Sequence, residues 1–450
     1  MCPIKRDSHA WLTPQRIILL SFVGLIALGS LLLRLPLATS DHLGLTPIDS
    51  LFISTSSVCV TGLSMIDLKN DLTLFGQLVV LVLIQLGGLG LMTVSTVIMV
   101  LLGWKVNFRS RLMMQEALNQ NDTGGIVRVV LRVAKFTFAI EAIGAVLLSF
   151  RFCAQFGFWR GIYLSIFHSI SAFNNAGFDL MGNFSSMTTY ATDPLVNVTI
   201  IVLIVFGGIG IAVLTDFWDW HGKKPYAAHT KIVIVTTIGL IVFGTLAILM
   251  FEWNNPLTLG PLNFFEKFVA ALFQSISPRT AGFNTLDTVG MHAATILLLI
   301  IFMFIGASPM STAGGVKTTT FAIMLAVLRA SLKNEEDIVL FGRLIPRNIV
   351  QRAMSIVFLS MLWIMSAFVF LSMTENMSFI ELLFETVSAF GTVGLSIGAT
   401  MKLTFLGKVI IILTMLFGRV GPLTFAVAFM VNKGIRRSKI NYPEEKILVG

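Results

Sequence analysis

Two kinds of apolar run alternate along this chain: long ones able to cross a hydrocarbon core, and shorter amphipathic ones that stop at a glycine. A core about 30 Å thick takes about 20 helical residues. Runs of that order occupy Ile17–Pro36, Leu74–Gly103, Val129–Phe152, Leu195–Trp220, Thr230–Trp253, His292 to Leu332, Ile349–Met373 and Phe405–Val431. Between the members of each pair lies a segment too short to span: Pro47–Ser57, Trp159–Ala172, Asn263–Ser277 and Ser378–Phe390. The order span, half-helix, glycine loop, span thus recurs four times, over residues 1–104, 105–220, 221–340 and 341–450. The loops read SVCVTGL (Ser57–Leu63), SISAFNNAGF (Ser169–Phe178), SISPRTAGF (Ser275–Phe283) and SAFGTVGL (Ser388–Leu395). Their glycines, Gly62, Gly177, Gly282 and Gly394, stand 115, 105 and 112 residues apart. Such a period is too long for a solenoid, whose units run to roughly 20–50 residues.

The pattern predicts an all-α polytopic membrane protein. Each unit crosses twice, so all four enter with one orientation; the repeats are parallel, unlike the inverted repeats of many transporters. They can surround a single axis with pseudo-fourfold symmetry. Non-helical backbone at membrane depth survives only where protein or a water-filled cavity satisfies it, so the four loops are expected to line an aqueous path. Composition agrees: 55% of residues are hydrophobic and 12% charged, against about 25% charged in a soluble domain. With the N-terminus inside, cytoplasmic segments hold 22 of the 32 lysines and arginines and outer segments 8. That bias puts both termini in the cytoplasm and makes the loops enter from outside. The net charge of +9 then reflects topology and lipid headgroups, not nucleic acid. The first run follows Lys5, Arg6 and Arg16 but is long for a signal peptide and precedes many more spans, so it reads as an uncleaved span. Cys2, Cys59 and Cys153 are scattered without a CxxC, which disfavours a disulfide framework or a zinc site.

A cation crossing the membrane must exchange hydration oxygens for protein oxygens, and rings of backbone carbonyls do this in potassium channels. Glycine allows the backbone conformations that aim successive carbonyls at an axis. The partly negative C-terminal ends of the half-helices favour a cation there. No ring of Asp or Glu accompanies the four glycines, as a multivalent-cation filter would need, and no ring of Lys or Arg, as an anion pore would. The tetrapeptides VTGL, NAGF, TAGF and TVGL resemble the four filter loops of the Trk/Ktr/HKT potassium transporters, and the resemblance covers essentially the whole chain. It implies potassium as the transported ion, sodium as a candidate activator, and no cofactor in this chain. Gly62, Gly177, Gly282 and Gly394 would be the selectivity glycines. The carbonyls of Val60, Thr61, Asn175, Ala176, Thr280, Ala281, Thr392 and Val393 would add coordination. Glycine in the first loop, where some sodium-preferring plant relatives have serine, favours potassium. A first span entered by residue 17, without the extra helical pair of larger Trk subunits, looks like the Ktr type. The resemblance further implies a plasma-membrane homodimer with one pore per chain and a cytosolic RCK-type nucleotide-binding ring as regulator.

The third unit departs from the others. Its second span is interrupted by Gly306-Ala307-Ser308-Pro309-Met310-Ser311-Thr312-Ala313-Gly314-Gly315-Val316-Lys317, where Pro309 cannot donate a backbone hydrogen bond. The resemblance makes this an intramembrane gate; a structural kink is the alternative. It is not a phosphate loop, because Val316 separates Gly315 from Lys317. The glycines of Gly87-Gly88-Leu89-Gly90, Gly207-Gly208-Ile209-Gly210 and Gly418-Arg419-Val420-Gly421 read as helix-packing positions. Arg419, charged within a span, needs a partner or an aqueous cavity: either carbonyls of the gate segment or an acid such as Glu385. Lys317 either acts in gating or snorkels to the cytoplasmic interface. Asp49, Glu266 and Glu381 suit the first turns of the half-helices, and His168 reads as a packed residue. No HExxH or paired intramembrane Asp suggests an enzyme. The expected function is potassium uptake down its electrochemical gradient. A sodium- or proton-coupled symporter is the alternative, with Glu141 its main mid-span acid. A non-conducting scaffold would want a side chain occluding a loop glycine, and none is present.

Overall fold

The computed structural model describes residues 14–90, 126–218 and 226–429, with isolated positions between 93 and 100. The basic links at 104–125 and beyond 432 lie outside the described residues, as do the inner ends of the first, second and fourth second spans. What is described follows one order four times. The first set is α1 (Pro14–Leu33), α2 (Pro47–Val58), a single turn α3 (Leu68–Asp71) and α4 (Leu74–Leu89). The second is α5 (Ile126–Phe156), α6 (Phe158–Phe173), α7 (Pro194–Ile209) and α8 (Ile211–Trp218). The third is α9 (Ala228–Glu252), α10 (Phe264–Ile276), α11 (Ala293–Phe304) and α12 (Thr318–Leu332). A short hairpin, β1 (Val339–Leu340) with β2 (Arg343–Leu344), precedes the fourth: α13 (Arg347–Thr374), α14 (Phe379–Gly391), α15 (Phe405–Val420) and α16 (Pro422–Phe429).

The first helix of each set is long and apolar enough to cross a membrane unbroken. The second spans are not the continuous helices that hydropathy suggests. α4, α7 and α15 stop at Gly90, Gly210 and Gly421, whose φ values are +79°, +87° and +91°. In the third set α11 stops at Phe304 and α12 resumes at Thr318. Hydropathy registers burial but not the sign of φ, and a glycine in the left-handed half of the map ends an α-helix.

The short helices start on local signals. Thr46 accepts the Asp49 amide ahead of Pro47 in α2. Glu266 accepts the Asn263 amide at 2.9 Å and Glu381 the Ser378 amide at 2.9 Å, the reciprocal arrangement of a capping box. Each short helix is then drawn against the long helix before it by a glycine–serine pair in three of the sets. Cβ atoms at Gly29, Gly144 and Gly244 would collide with the hydroxyls of Ser54, Ser169 and Ser275. Those hydroxyls donate to Ile26, Glu141 and Ile241 carbonyls at 2.7, 2.6 and 3.0 Å. Where lipid is as apolar as the core, such close approach and interhelical hydrogen bonding replace the hydrophobic effect as the cohesive force.

Carboxylates at the ends of two long helices cap the second spans beyond them. Glu252 accepts from the His292 amide at 2.9 Å, and Glu375 from the Thr404 amide at 3.1 Å. The sets close on one another. Lys69 donates to Met181 O at 2.7 Å, the Met187 amide to Asn284 O at 3.0 Å, and Lys408 pairs with Asp49 at 2.8 Å, joining the fourth set back to the first.

Candidate functional site: a ring of four glycine loops

The short helices end in loops with one repeated backbone. Val60, Asn175, Thr280 and Thr392 have φ of +58°, +58°, +73° and +51°; two residues on, Gly62, Gly177, Gly282 and Gly394 have +89°, +69°, +74° and +92°. Thr61, Ala176, Ala281 and Val393, between them, stay on the ordinary negative side. In a strand of uniform φ successive carbonyls point to opposite sides; alternating the sign turns them toward the same side. Positive φ is an outlier for β-branched residues such as Val60, Thr280 and Thr392, so the surroundings must impose it. They do so through the helix ends: the amides of Thr61, Ala176, Ala281 and Val393 donate to Ser56, Ser171, Ser277 and Ser388 carbonyls at 2.8–2.9 Å. Ser171 and Ser277 then donate to the carbonyls of Phe178 and Phe283 beyond the glycines.

The four loops meet in a closed ring. A Cβ at Gly62 would stand 2.4 Å from Ala176 O, at Gly177 2.9 Å from Ala281 O, at Gly282 2.4 Å from Val393 O, and at Gly394 2.1 Å from Thr61 O. Every glycine therefore faces the middle carbonyl of the next loop, in sequence order, and the last faces the first. No side chain fits at any of the four positions. Loops two and three are also joined by their side chains, Asn175 to Thr280 at 3.3 Å. All twelve residues proposed from the sequence for the filter are thus brought together.

The 306–317 segment touches three of the four sets. Ile305 and Val316 form a parallel bridge, and the Gly306 amide returns to Val316 O at 2.8 Å, closing a loop. The Gly314 amide donates to Thr392 Oγ1 at 3.1 Å, beside loop four. The Ser308 and Thr312 amides donate to Gly208 O and Gly207 O at 3.0 and 3.3 Å, at the end of α7. Arg419 donates to Thr312 O and to Gly87 O, bridging the segment to α4. Of the two partners open to it, the arginine has carbonyls, while Glu385 accepts from Ser396 and Thr400 at 2.8 and 2.5 Å. The Lys317 Nζ folds back onto Ala313 O within its own segment.

The second-span glycines prove to be of two kinds. Gly87, Gly207 and Gly418 are packing positions, where a Cβ would strike the last-turn carbonyls of Val58, Phe173 and Phe390. Gly90, Gly210 and Gly421, three residues on, break the helix. Their shared spacing was the visible signal. Sequence reasoning also missed a buried network: Glu141 accepts from Gln85 at 3.1 Å and from Asn174 at 2.9 Å, holding the end of α6 against α4 and α5. His168 is packed as expected, its ring bonded to Leu164 O and the Leu180 amide at 2.7 and 3.2 Å. Beyond loop two, burial raises the Asp179 carboxyl to about 6, with Asp67 adding to the shift and Lys69 opposing it. Among the described residues no His/Cys/Asp/Glu group could hold a metal ion.

The chain is similar to known proteins along essentially its whole length. The chain is 41% identical to Ktr system potassium uptake protein B of Bacillus subtilis (strain 168), over 97% of each chain. It is 37% identical to potassium/sodium uptake protein NtpJ of Enterococcus hirae over the full length of both. The crystal structure of the potassium transporter TrkH from Vibrio parahaemolyticus shares the fold, with a TM-score of 0.75 at 19% identity, covering 95% of this chain and 87% of that one. A family model described as TrkH, cation transport protein, matches residues 16–435, and this multi-pass membrane protein belongs to that family of transporters.

Proposed function

We propose that the chain takes up potassium through the ring of four glycine loops. The carrying observation is the ring itself: four backbones with the same alternation of φ, each glycine set against the next loop's carbonyl. Carbonyls so arranged replace the hydration shell of a monovalent cation, and the helix ends behind them add partial negative charge. The ligands are the carbonyls of Val60–Gly62, Asn175–Gly177, Thr280–Gly282 and Thr392–Gly394. Relatives named as potassium uptake proteins support the choice of ion.

The 306–317 segment is the gate. It is irregular backbone tied to loop four and to the arginine of the fourth set, and Arg419 supplies a positive barrier when the segment is in place. The chain works as a plasma-membrane homodimer, termini inside, with a cytosolic nucleotide-binding ring of RCK type as its regulator; the naming of relatives as parts of a Ktr system supports a multi-component assembly. A sodium-coupled or sodium-activated variant of this function is favoured by the relative named for both ions.

The test is cation flux into proteoliposomes holding this chain, potassium against sodium, intact protein against Gly282→Ser. The serine side chain would enter the space of Val393 O. Potassium-preferring flux that loses its preference in the variant is the expected result; unchanged selectivity would refute the filter.

A further inference from the structure

The corner between α7 and α8 holds the 306–317 segment by giving up helical hydrogen bonds. In an uninterrupted helix the Ile211 amide would donate to Gly207 O, four residues back. Gly210 instead takes φ +87° and ψ +146°, and the axis turns by 95°. Both members of the opened pair are taken by the segment: Ile211 N donates to Met310 O at 3.1 Å, and Gly207 O accepts from Thr312 N at 3.3 Å. Gly208 O, freed by the same break, accepts from Ser308 N at 3.0 Å. The break at Gly90 is used differently, its Gly87 and Gly88 carbonyls facing the Arg419 side chain.

We propose that this corner is a two-position seat for the segment, with Gly207, Gly210 and Ile211 as positioning residues; the proposal rests on the gate reading above. Occupation of the corner by residues 308–312 and the Ile211–Gly207 helical bond exclude one another, because they compete for the same donor and acceptor. Leaving the seat and re-forming the helix across Gly210 are therefore one event. α8 carries that event toward the cytoplasm. Asp216 on α8 accepts from the Ala227 amide at 3.1 Å and from Thr230 Oγ1 at 2.6 Å, so a swing of α8 pulls on the start of α9. Conversely, a load applied at the inner end of α8 or α9 is felt at the seat.

Two glycines separate the seat from general helix strain. At Gly210 a Cβ would take positive φ and stand 2.4 Å from Pro309 O, whereas Gly90 has φ +79° with nothing within 4 Å. Both alanine variants strain the backbone; only Gly210→Ala also pushes on the segment. Potassium flux would be compared in proteoliposomes for the intact chain, Gly210→Ala, Gly90→Ala and a deletion of residues 310–313. The expected result is a rise of about fivefold or more in Gly210→Ala over Gly90→Ala, together with a rise in the deletion. A rise in the deletion with Gly210→Ala matching Gly90→Ala would overturn the seat and leave the gate standing. No rise in the deletion would overturn the gate reading itself, and the seat with it.

Should Gly210→Ala fail to fold, a cross-link decides. A Cβ on Gly208 would lie 3.3 Å from that of Ala307, close to the roughly 3.5–4.5 Å of a disulfide. The double variant Gly208→Cys, Ala307→Cys should lose flux on oxidation and regain it with dithiothreitol. Failure to cross-link, or full flux through the cross-linked protein, would overturn the proposal.

Discussion

The ring of loops and the second spans beneath it obey opposite rules. In the ring, four different tripeptides (Val-Thr-Gly, Asn-Ala-Gly, Thr-Ala-Gly and Thr-Val-Gly) adopt one backbone, and each glycine faces its neighbour in the same way. In the second spans the start is common but the end is not. Three stop at a single glycine and one opens into thirteen non-helical residues, and the Gly210 corner is bonded directly to that segment's backbone. A site that must surround a spherical ion with equivalent oxygens gains from symmetry. A moving part gains from its absence, because equal contacts on every side leave no direction in which to move. On the proposed function, selectivity belongs to the part that repeats and control to the part that does not.

The largest effect should come from breaking the repeat. Gly394→Ala would place a Cβ 2.1 Å from Thr61 O at φ +92°, adding a left-handed backbone cost of about 1–2 kcal/mol to a backbone overlap that only moving loop one can relieve. Potassium over sodium preference should fall by about tenfold or more, the equivalent of about 1.4 kcal/mol. Gly24→Ala, with nothing within 4 Å, should leave flux and selectivity unchanged in the same assay. If both variants behave alike, the ring is not where ions are distinguished.

A smaller effect should follow from breaking an asymmetric contact. Arg419→Gln removes charge-assisted hydrogen bonds to Thr312 O and Gly87 O, each worth about 1.5–3 kcal/mol. Basal flux should rise by about threefold or more through a shift of the segment's population, with ion preference intact. Arg419→Lys should be intermediate, since a point charge cannot reproduce the planar fork that reaches two backbones. A change of selectivity in place of rate would mean that ring and segment are not separable.

How far each region was legible follows from the same contrast. The half-helices and their glycines were readable to within a residue or two, because capping residues such as Ser378 with Glu381 and the stop at glycine are local signals. Arg419 was readable as a demand for a partner; the choice of Thr312 O over Glu385 depends on how α15 lies against segments more than 100 residues away. The breaks at Gly90, Gly210 and Gly421 were hidden from hydropathy, since an apolar run looks the same whether its backbone is straight or bent, and only the shared spacing of the glycines marked them. The repeats predicted a shared axis, but the contacts that close the ring were hidden for another reason: the pairing of Gly394 with Thr61 O spans most of the chain and has no counterpart in any window of sequence.

The smallest effect should appear just beyond the loops, on the side that the proposed function makes the outer one, where their symmetry ends with the residue after each Phe or Leu. Loop two continues Gly177-Phe178-Asp179, while the others continue with Ser64, Asn284 and Ser396, so on the proposed function one carboxylate stands at the mouth. Burial raises its pKa to about 6, above the ordinary carboxylate range because the charged form is poorly solvated. Above pH 6 Asp179 is ionised and attracts cations; as the outer pH falls through 6 it becomes neutral. Potassium uptake should therefore fall between pH 7 and pH 5 by about two- to threefold at low ionic strength, and by less in high salt, where a partly exposed charge is screened. Asp179→Asn should show the low-pH rate at every pH and lose the salt dependence. Asp67 and Lys69 face the same group, so Lys69→Gln should move the midpoint upward, because it removes the neighbour that favours ionisation. A pH profile unchanged by Asp179→Asn would show that the mouth, like the ring, treats its four sides alike.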